Sequence, residues 1–407
     1  MVSKRLNICL LANYQPGCPE SMRRFAQTLE VELAERCHVV ELLRPSVVFG
    51  QRLNPRRGMG KWLGYLDKYF LFPITLNRKL RKVASENREG FLIHVTDHSN
   101  AIYMRQVSRF AHLVTCHDLL AIRAAMEEFP NNQVRWSGRQ LQMMILGGLK
   151  MARWLAVDSE ATRQDVLRLI GPFNARIRRI YMGLAYSYTP MQKESALKRV
   201  NVLLGRVGHH VSDGKFEFIL HVGDDSWYKN RQGVLEIYAE VAKQSEKPLH
   251  LIMVGPPLSS SQSYWVKKQG LSDRIIIAGQ CSNEELCALY SEAKCLLFPS
   301  LAEGFGLPIA EAQACGCPVV TTRRAPMTEV GGEAAWYLDS LEPTAAAAVV
   351  KKAIEEGPVE RQVRVAAGIA NSQRFSAKTM VDAYEELYRE IFEQTESKRR
   401  NCVASLS

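Results

Sequence analysis

The sequence predicts an α/β protein of two doubly wound domains, each built on a mainly parallel sheet. Three observations carry this. Short apolar runs of buried-strand length alternate with stretches of helical periodicity. The alternation loosens once, around residues 185–215, and then restarts. The chain has 407 residues, enough for two full-sized cores.

In the first half, Leu6–Leu11 reads as a strand and Asn13–Gly17 as the loop after it. Met22, Phe25, Leu29 and Leu33 recur at helical spacing, which predicts a helix over Glu20–Glu35. His38–Leu43, Phe91–Val95, His112–Cys116 and Trp154–Val157 read as further buried strands. Asp158-Ser159 opens a helix at Glu160, and Arg176–Tyr181 is the next strand. The segment Ala185–Lys215 reads as a linker, which sets the domains at residues 1–190 and 191–375.

The second half repeats the pattern with strands at Phe216–Val222, Leu249–Val254, Arg274–Ala278, Cys295–Phe298, Cys317–Thr321 and Ala334–Leu338. Ser282-Asn283-Glu284-Glu285 is a capping box opening a helix to Ala293. Helices follow at Thr344–Glu356 and Ser376–Glu393, and the basic tail after them, within residues 376–407, is expected to be disordered. Two such domains predict ligands at the carboxyl ends of the strands, in a crevice between the halves.

Composition narrows the function. Apolar content of 46% with 23% charged residues is that of a globular protein. No apolar run spans a bilayer and no signal-peptide pattern opens the chain, so a cytoplasmic protein is expected. The ten cysteines include no C-x-x-C and read as reduced thiols, and the chain has no Asp-x-Asp. Neither G-x-x-x-x-G-K-[ST] nor G-x-G-x-x-G opens a helix after the first strand, which weakens ATPase and dinucleotide readings. The net charge of +11 is concentrated in Gln51–Phe110, where 12 Lys/Arg face 4 Asp/Glu. Such a bias suits an anionic partner or a solvated basic face.

The richest stretch is Pro299–Thr322, P-S-L-A-E-G-F-G-L-P-I-A-E-A-Q-A-C-G-C-P-V-V-T-T. Gly304 and Gly306 bracket Phe305 in the loop after a strand, and Leu307-Pro308 begins a helix ending near Gly316. Loop and first turn offer N–H groups and a positive dipole end to an anion. Glu303 lies in the loop and Glu311 eight residues on, early in the helix. The plain alternative is a solvated loop carboxylate and an N-terminal helix charge.

This stretch resembles the signature of the retaining glycosyltransferases of family 4, which have the GT-B fold. The resemblance implies two Rossmann-like domains facing a central cleft, with the C-terminal helix crossing back to the first domain. It implies that Glu303 holds the transferred sugar and Glu311 the donor ribose, with the Gly304, Phe305, Gly306 and Leu307 backbone on the diphosphate. His117, in H-D-L after a strand, is implied to contact the sugar, with Asp118 orienting it; a structural histidine is the alternative. Lys229-Asn230 matches the family's diphosphate lysine. An arginine usual in that loop is replaced here by Tyr228 or Asp224, and Arg231 is the expected substitute. Gly17 is the lone glycine of a first loop where relatives often carry two, on the acceptor side.

The activity implied is hexosyl transfer, of mannose or glucose, from a nucleotide-diphosphate sugar to a glycan or lipid-linked acceptor, with retention and without a metal or other cofactor. The alternatives are an inactive sugar-nucleotide-binding scaffold and an epimerase of the same fold. Residues 56–82 mix aromatic rings with Arg78, Lys79, Arg81 and Lys82, and predict peripheral attachment to an anionic membrane surface rather than nucleic-acid binding. A core helix with a solvated basic face is the alternative.

Overall fold

A computed structural model describes residues 5–49, 63–87, 90–130, 132–171, 176–209, 216–245 and 248–404, with side chains up to residue 397. The chain forms two compact units, Met1–Ala185 with Ala377–Ser407, and Tyr186–Ser376.

The first unit carries a six-stranded sheet in the order β2-β1-β3-β4-β5-β6, parallel throughout. Its strands are β1 Asn7–Leu11, β2 Val39–Leu43, β3 Leu92–Val95, β4 Ala111–Cys116, β5 Trp154–Val157 and β6 Arg176–Arg179. The inner strands β3 and β5 are buried at every residue, as continuous apolar runs between helical layers must be. Helix α1, Glu20–Glu35, buries Phe25, Ala26, Leu29 and Leu33. After β2 the chain is helical from residue 63, makes a π-helical turn at Asp67–Leu71, and continues as α2, Phe72–Glu86. Phe72, Leu76, Leu80 and Val83 of α2 enter the core.

The C-terminal helix Ala377–Ala404 belongs to this first unit. Its Tyr388 hydroxyl meets His94 Nδ1 at 2.7 Å, and its Tyr384 hydroxyl meets Thr115 Oγ1 at 2.9 Å. His94 Nε2 closes the chain of bonds to Thr115 at 2.7 Å. Burial pushes the His94 pKa down to about 3, so the ring is neutral, and its two nitrogens serve as one donor and one acceptor. A fully satisfied buried network of this kind fixes one seating of the helix on β3 and β4. The helix also runs past Glu393, so backbone that composition marked as a disordered tail is helical to Ala404.

The second unit has the order β12-β11-β10-β7-β8-β9, again parallel throughout. Its strands are β7 Glu217–Val222, β8 Leu249–Val254, β9 Ile275–Gly279, β10 Leu296–Phe298, β11 Val319–Thr322 and β12 Trp336–Leu338. Helices α3 Arg231–Lys243, α4 Asn283–Glu292, α5 Leu307–Ala314 and α6 Pro358–Ser372 matter below. The capping box at α4 forms as expected, Ser282 and Glu285 exchanging backbone and side-chain bonds. The expected linker is not loose. Lys193–Arg206 is a helix burying Ala196, Val200, Leu203 and Leu204, a spacing of about one helical turn overlooked among flanking turn residues.

Candidate active site

In the second sheet β7 comes first in the chain yet lies between β10 and β8. That reversal of strand order is where doubly wound sheets take their ligands. The loops leaving β7 and β10 meet there. Lys229 Nζ donates to both oxygens of Glu303, at 2.8 and 2.9 Å, joining residues 74 apart in sequence. The pair is largely withdrawn from solvent, with 14% of the lysine side chain and 6% of the glutamate side chain exposed. The rings of Phe298 and Tyr228 flank the ammonium at 5.0 and 5.5 Å.

Backbone and amide contacts clamp the same two loops. The Leu301 N–H donates to the Tyr228 carbonyl at 2.7 Å, and Asn230 Nδ2 donates to the Pro299 carbonyl at 3.1 Å. Asn230 sits at φ +51 and caps α3 by accepting the Gly233 N–H.

The helix of the central motif starts where the sequence places it. Gly306 is its N-cap with φ +100, a left-handed geometry that favours glycine, and Pro308 lies in its first turn. Pro308 has no N–H, however, and the Ile309 N–H is bonded to the Gly306 carbonyl at 3.0 Å. Two of the first three helical positions therefore offer an anion nothing, and the expected row of donors narrows. Phe305 is turned inward against Phe375, ring centroids 5.3 Å apart, so only its backbone is available to a ligand. Gly304 follows Glu303 in the same loop, and Leu307 opens α5.

Glu311 lies one turn into α5, and its Oε2 accepts the hydroxyl of Tyr290 on α4 at 2.9 Å. Tyr290 is fully buried, and burial with the nearby carboxylate raises its pKa well above the usual range, so it stays a donor. Two residues further, Gln313 Nε2 donates to the Gly331 carbonyl at 2.7 Å. Asn371 of α6 bridges Gln313 Oε1 and the Val330 carbonyl, each at 2.7 Å. The Val330-Gly331 segment is thus tied to the motif helix by two amide side chains.

One expected residue is placed elsewhere. Arg231 does not reach the β10 loop: its guanidinium donates to the carbonyls of Pro256 at 2.8 Å and Pro257 at 3.4 Å, after β8. It is 5% exposed, and burial lowers its pKa. The reason is its position in the first turn of α3, which aims it at the neighbouring strand's loop. Arg324 does approach the β10 loop, donating to the Leu301 carbonyl at 3.3 Å from an exposed position.

In the first unit His117 follows β4 and is buried. Its Nδ1 lies 2.6 Å from Asp158 Oδ2 and its Nε2 lies 2.9 Å from the Thr96 carbonyl. Both nitrogens face acceptors, so both carry protons. Burial alone would lower the ring's pKa; the Asp158 carboxylate, helped by Asp97, overrides it and holds the ring at about 9. This corrects the expected arrangement. Asp158 orients the ring rather than Asp118, which accepts the Leu120 N–H instead, and both ring donors are spent inside the unit. Asp97 beside it accepts from Asn13 at 2.6 Å and from the Ser99 N–H at 2.7 Å.

Gly17 lies in an exposed turn after β1 with φ +78. Next to that loop, between α1 and the ends of β1 and β2, is a cavity of about 200 Å³ lined by Asn13, Gln15, Glu30 and Arg44 among others.

Sequence reasoning missed the residues that hold the others: Asp158, Thr96, Tyr290, Gln313 and Asn371. Asp158 alone had a local signal, as an acid at the end of a buried strand.

Comparison with known proteins bears on the family and the fold. The family model "Glycosyl transferases group 1" matches residues 208–369, wholly within the second unit. Over 267 residues the chain is 26% identical to O-antigen chain mannosyltransferase B of Escherichia coli, covering 65% of this chain and 66% of that protein. The chain therefore spans just under two thirds of that relative. Sucrose-phosphate synthase from Thermosynechococcus elongatus superposes with a TM-score of 0.73 at 20% identity, over 96% of this chain and all of that one. Anabaena HepE in complex with UDP and glucose gives 0.66 at 18% identity, over 95% of this chain and all of that one. At such identities the two structures establish the fold.

Proposed function

We propose that this chain, a GT-B glycosyltransferase of the family-4-like kind, transfers a hexosyl group from a nucleotide-diphosphate sugar with retention of configuration. The observation that carries the proposal is the Lys229–Glu303 pair, set where the β7 and β10 loops converge and one loop ahead of Glu311. A lysine and a glutamate bound to each other are poised to exchange partners. An arriving diphosphate takes the ammonium, and the freed carboxylate accepts hydroxyls of the sugar. Glu311, steadied by Tyr290, accepts the ribose hydroxyls.

In the reaction the bond from the anomeric carbon to the diphosphate oxygen breaks as the acceptor oxygen bonds on the same face. The acceptor's proton passes to the departing diphosphate. Lys229 and the glycine-loop backbone stabilise the charge that builds there, the preorganised electrostatic contribution that dominates many enzymes. Arg324 supplies a second cation in place of the arginine that the β7 loop lacks. This scheme needs no metal or other cofactor.

The name of the E. coli relative makes mannose the first sugar to test and the HepE complex makes glucose the second. A glycan or lipid-linked glycan is the acceptor, and the enzyme works in the cytoplasm, attached peripherally to the membrane. No described helix is long and apolar enough to cross a bilayer.

The test is a thermal-shift screen of UDP, GDP and ADP sugars, since a ligand selective for the folded state raises Tm by mass action. Product analysis by NMR follows. A stabilising donor should yield a glycosylated acceptor with the donor's anomeric configuration. Inverted product, or no stabilisation and no turnover with any donor, overturns the proposal; a free epimerised sugar without acceptor marks it as an epimerase.

A further inference from the structure

The helix after β2 presents an apolar face to solvent as well as to the core. Leu66 is 43% exposed, Phe70 70% and Ile74 54%, four residues apart along one side. In a typical single-faced helix these positions would be polar. Beyond them Arg78, Lys79, Arg81 and Lys82 are exposed, and the first three have no ion pair among the described residues. Residues 56–62 of the basic stretch lie outside the described residues.

A second exposed apolar segment is anchored to the same helix. Val48 and Phe49, in the loop after β2, are 54% and 47% exposed. Their backbone N–H groups donate to Asp67, at 3.2 Å to Oδ2 and 3.1 Å to Oδ1. The Tyr14 hydroxyl, from the loop after β1, donates to Asp67 Oδ2 at 2.9 Å. Asp67 opens the π-helical turn and is 1% exposed. A carboxylate that interrupts an apolar run thus has a structural task. It pins the Val48-Phe49 loop and the first loop to the start of the amphipathic helix.

We propose that Val48, Phe49, Leu66, Phe70 and Ile74 form a bilayer-inserting patch, with Arg78, Lys79, Arg81 and Lys82 seated on anionic headgroups. This deepens the peripheral attachment in the reading above and rests on it. The apolar residues lead and the cations follow along one helix, the order an interfacial helix needs to bury its rings while its charges stay among headgroups. Exposed apolar groups along one helix face and on a loop pinned to that helix's buried carboxylate are not the scattered surface apolars of ordinary proteins. The charge complement selects an anionic bilayer over a second copy of this basic chain. Because Tyr14 shares the Asp67 anchor, seating the patch also sets the first loop at the membrane surface, where a lipid-linked acceptor is presented.

The experiment uses the full chain and co-sedimentation with phosphatidylcholine vesicles, with and without phosphatidylglycerol. Wild type should pellet with the anionic vesicles, weakly with neutral ones, and less as salt rises. Phe70→Asp/Ile74→Asp should weaken binding to anionic vesicles by at least about tenfold, as should Arg78→Ala/Lys79→Ala/Arg81→Ala/Lys82→Ala. Both variants should keep the wild-type Tm and the thermal shift with nucleotide sugar, which separates failure here from failure of the catalytic reading. Equal pelleting with both vesicle types, or no pelleting at low salt, overturns the proposal. So does a Phe70→Asp/Ile74→Asp variant that pellets like wild type, or one whose only change is loss of a dimer in size-exclusion chromatography.

Discussion

The carboxyl ends of the two sheets carry similar residue types put to opposite uses. Behind β3, β4 and β5 most polar groups bond one another: His117 spends both ring protons on Asp158 and Thr96, and Asp97 is held by Asn13 and Ser99, while Asp158 Oδ1 alone of these atoms has no hydrogen-bond partner among the described residues. Behind β7 and β10 the central contact is one lysine against one glutamate on two loops. A network whose ring donors are already spent internally resists a ligand there, because each bond surrendered leaves a buried group unpaired. An ion pair on loops can be entered by exchange, since an incoming anion replaces the carboxylate and an incoming hydroxyl replaces the ammonium. Position after a parallel strand therefore does not say which kind of site a residue joins.

That contrast predicts where substitutions strike. Lys229→Met should lower kcat/KM at least about a hundredfold, roughly 2.7 kcal/mol, and weaken nucleoside-diphosphate binding more than nucleoside binding. It also removes the cation that Glu303 faces, so Lys229→Met/Glu303→Gln should recover Tm without recovering turnover; recovery of both would make the pair merely structural. Next in size, Glu311→Gln should cost at least about tenfold in kcat/KM, about 1.4 kcal/mol, with the fold intact. Wild-type kinetics in that variant would remove the ribose role.

Arg231→Ala should leave the preference for diphosphate over nucleoside unchanged. It should instead lower stability by about 1–3 kcal/mol, because the Pro256 and Pro257 carbonyls lose their donor. A selective loss of diphosphate affinity would return Arg231 to the donor site.

The smallest effect concerns pH in the first unit. His117 is held at about 9 in the fold, above its ordinary 6.5. Its pairing therefore stabilises fully below about pH 6.5, and that contribution is lost as pH rises through about 9. Wild-type Tm should fall across that window more steeply than that of His117→Gln, which has no ring to titrate. Parallel curves would show a neutral ring in the folded protein.

How much of this was legible in the sequence differs by distance along the chain. All twelve strands were readable, eleven of them as short runs rich in apolar residues and β6, R-I-R-R, as the exception, and the capping box at Ser282 and the helix start at Gly306-Leu307-Pro308 were readable as local patterns. Backbone preference, capping and side-chain period act within a few residues, so a single chain displays them. The motif likewise marked Glu303, Glu311 and Lys229 as residues of interest. Which partner each takes was not readable. Lys229 and Glu303 are 74 residues apart, His117 and Asp158 are 41 apart, and His94 and Tyr388 are 294 apart. Arg231 looked like a phosphate ligand beside Lys229, yet its place in the first turn of α3 turns it toward Pro256. The sequence by itself determined the strands, the motif helix and the chemistry available at each loop, though not the helix Lys193–Arg206. Only the tertiary structure decided the pairings, because a charge's partner depends on which strands become neighbours, and that ordering is a property of the whole sheet.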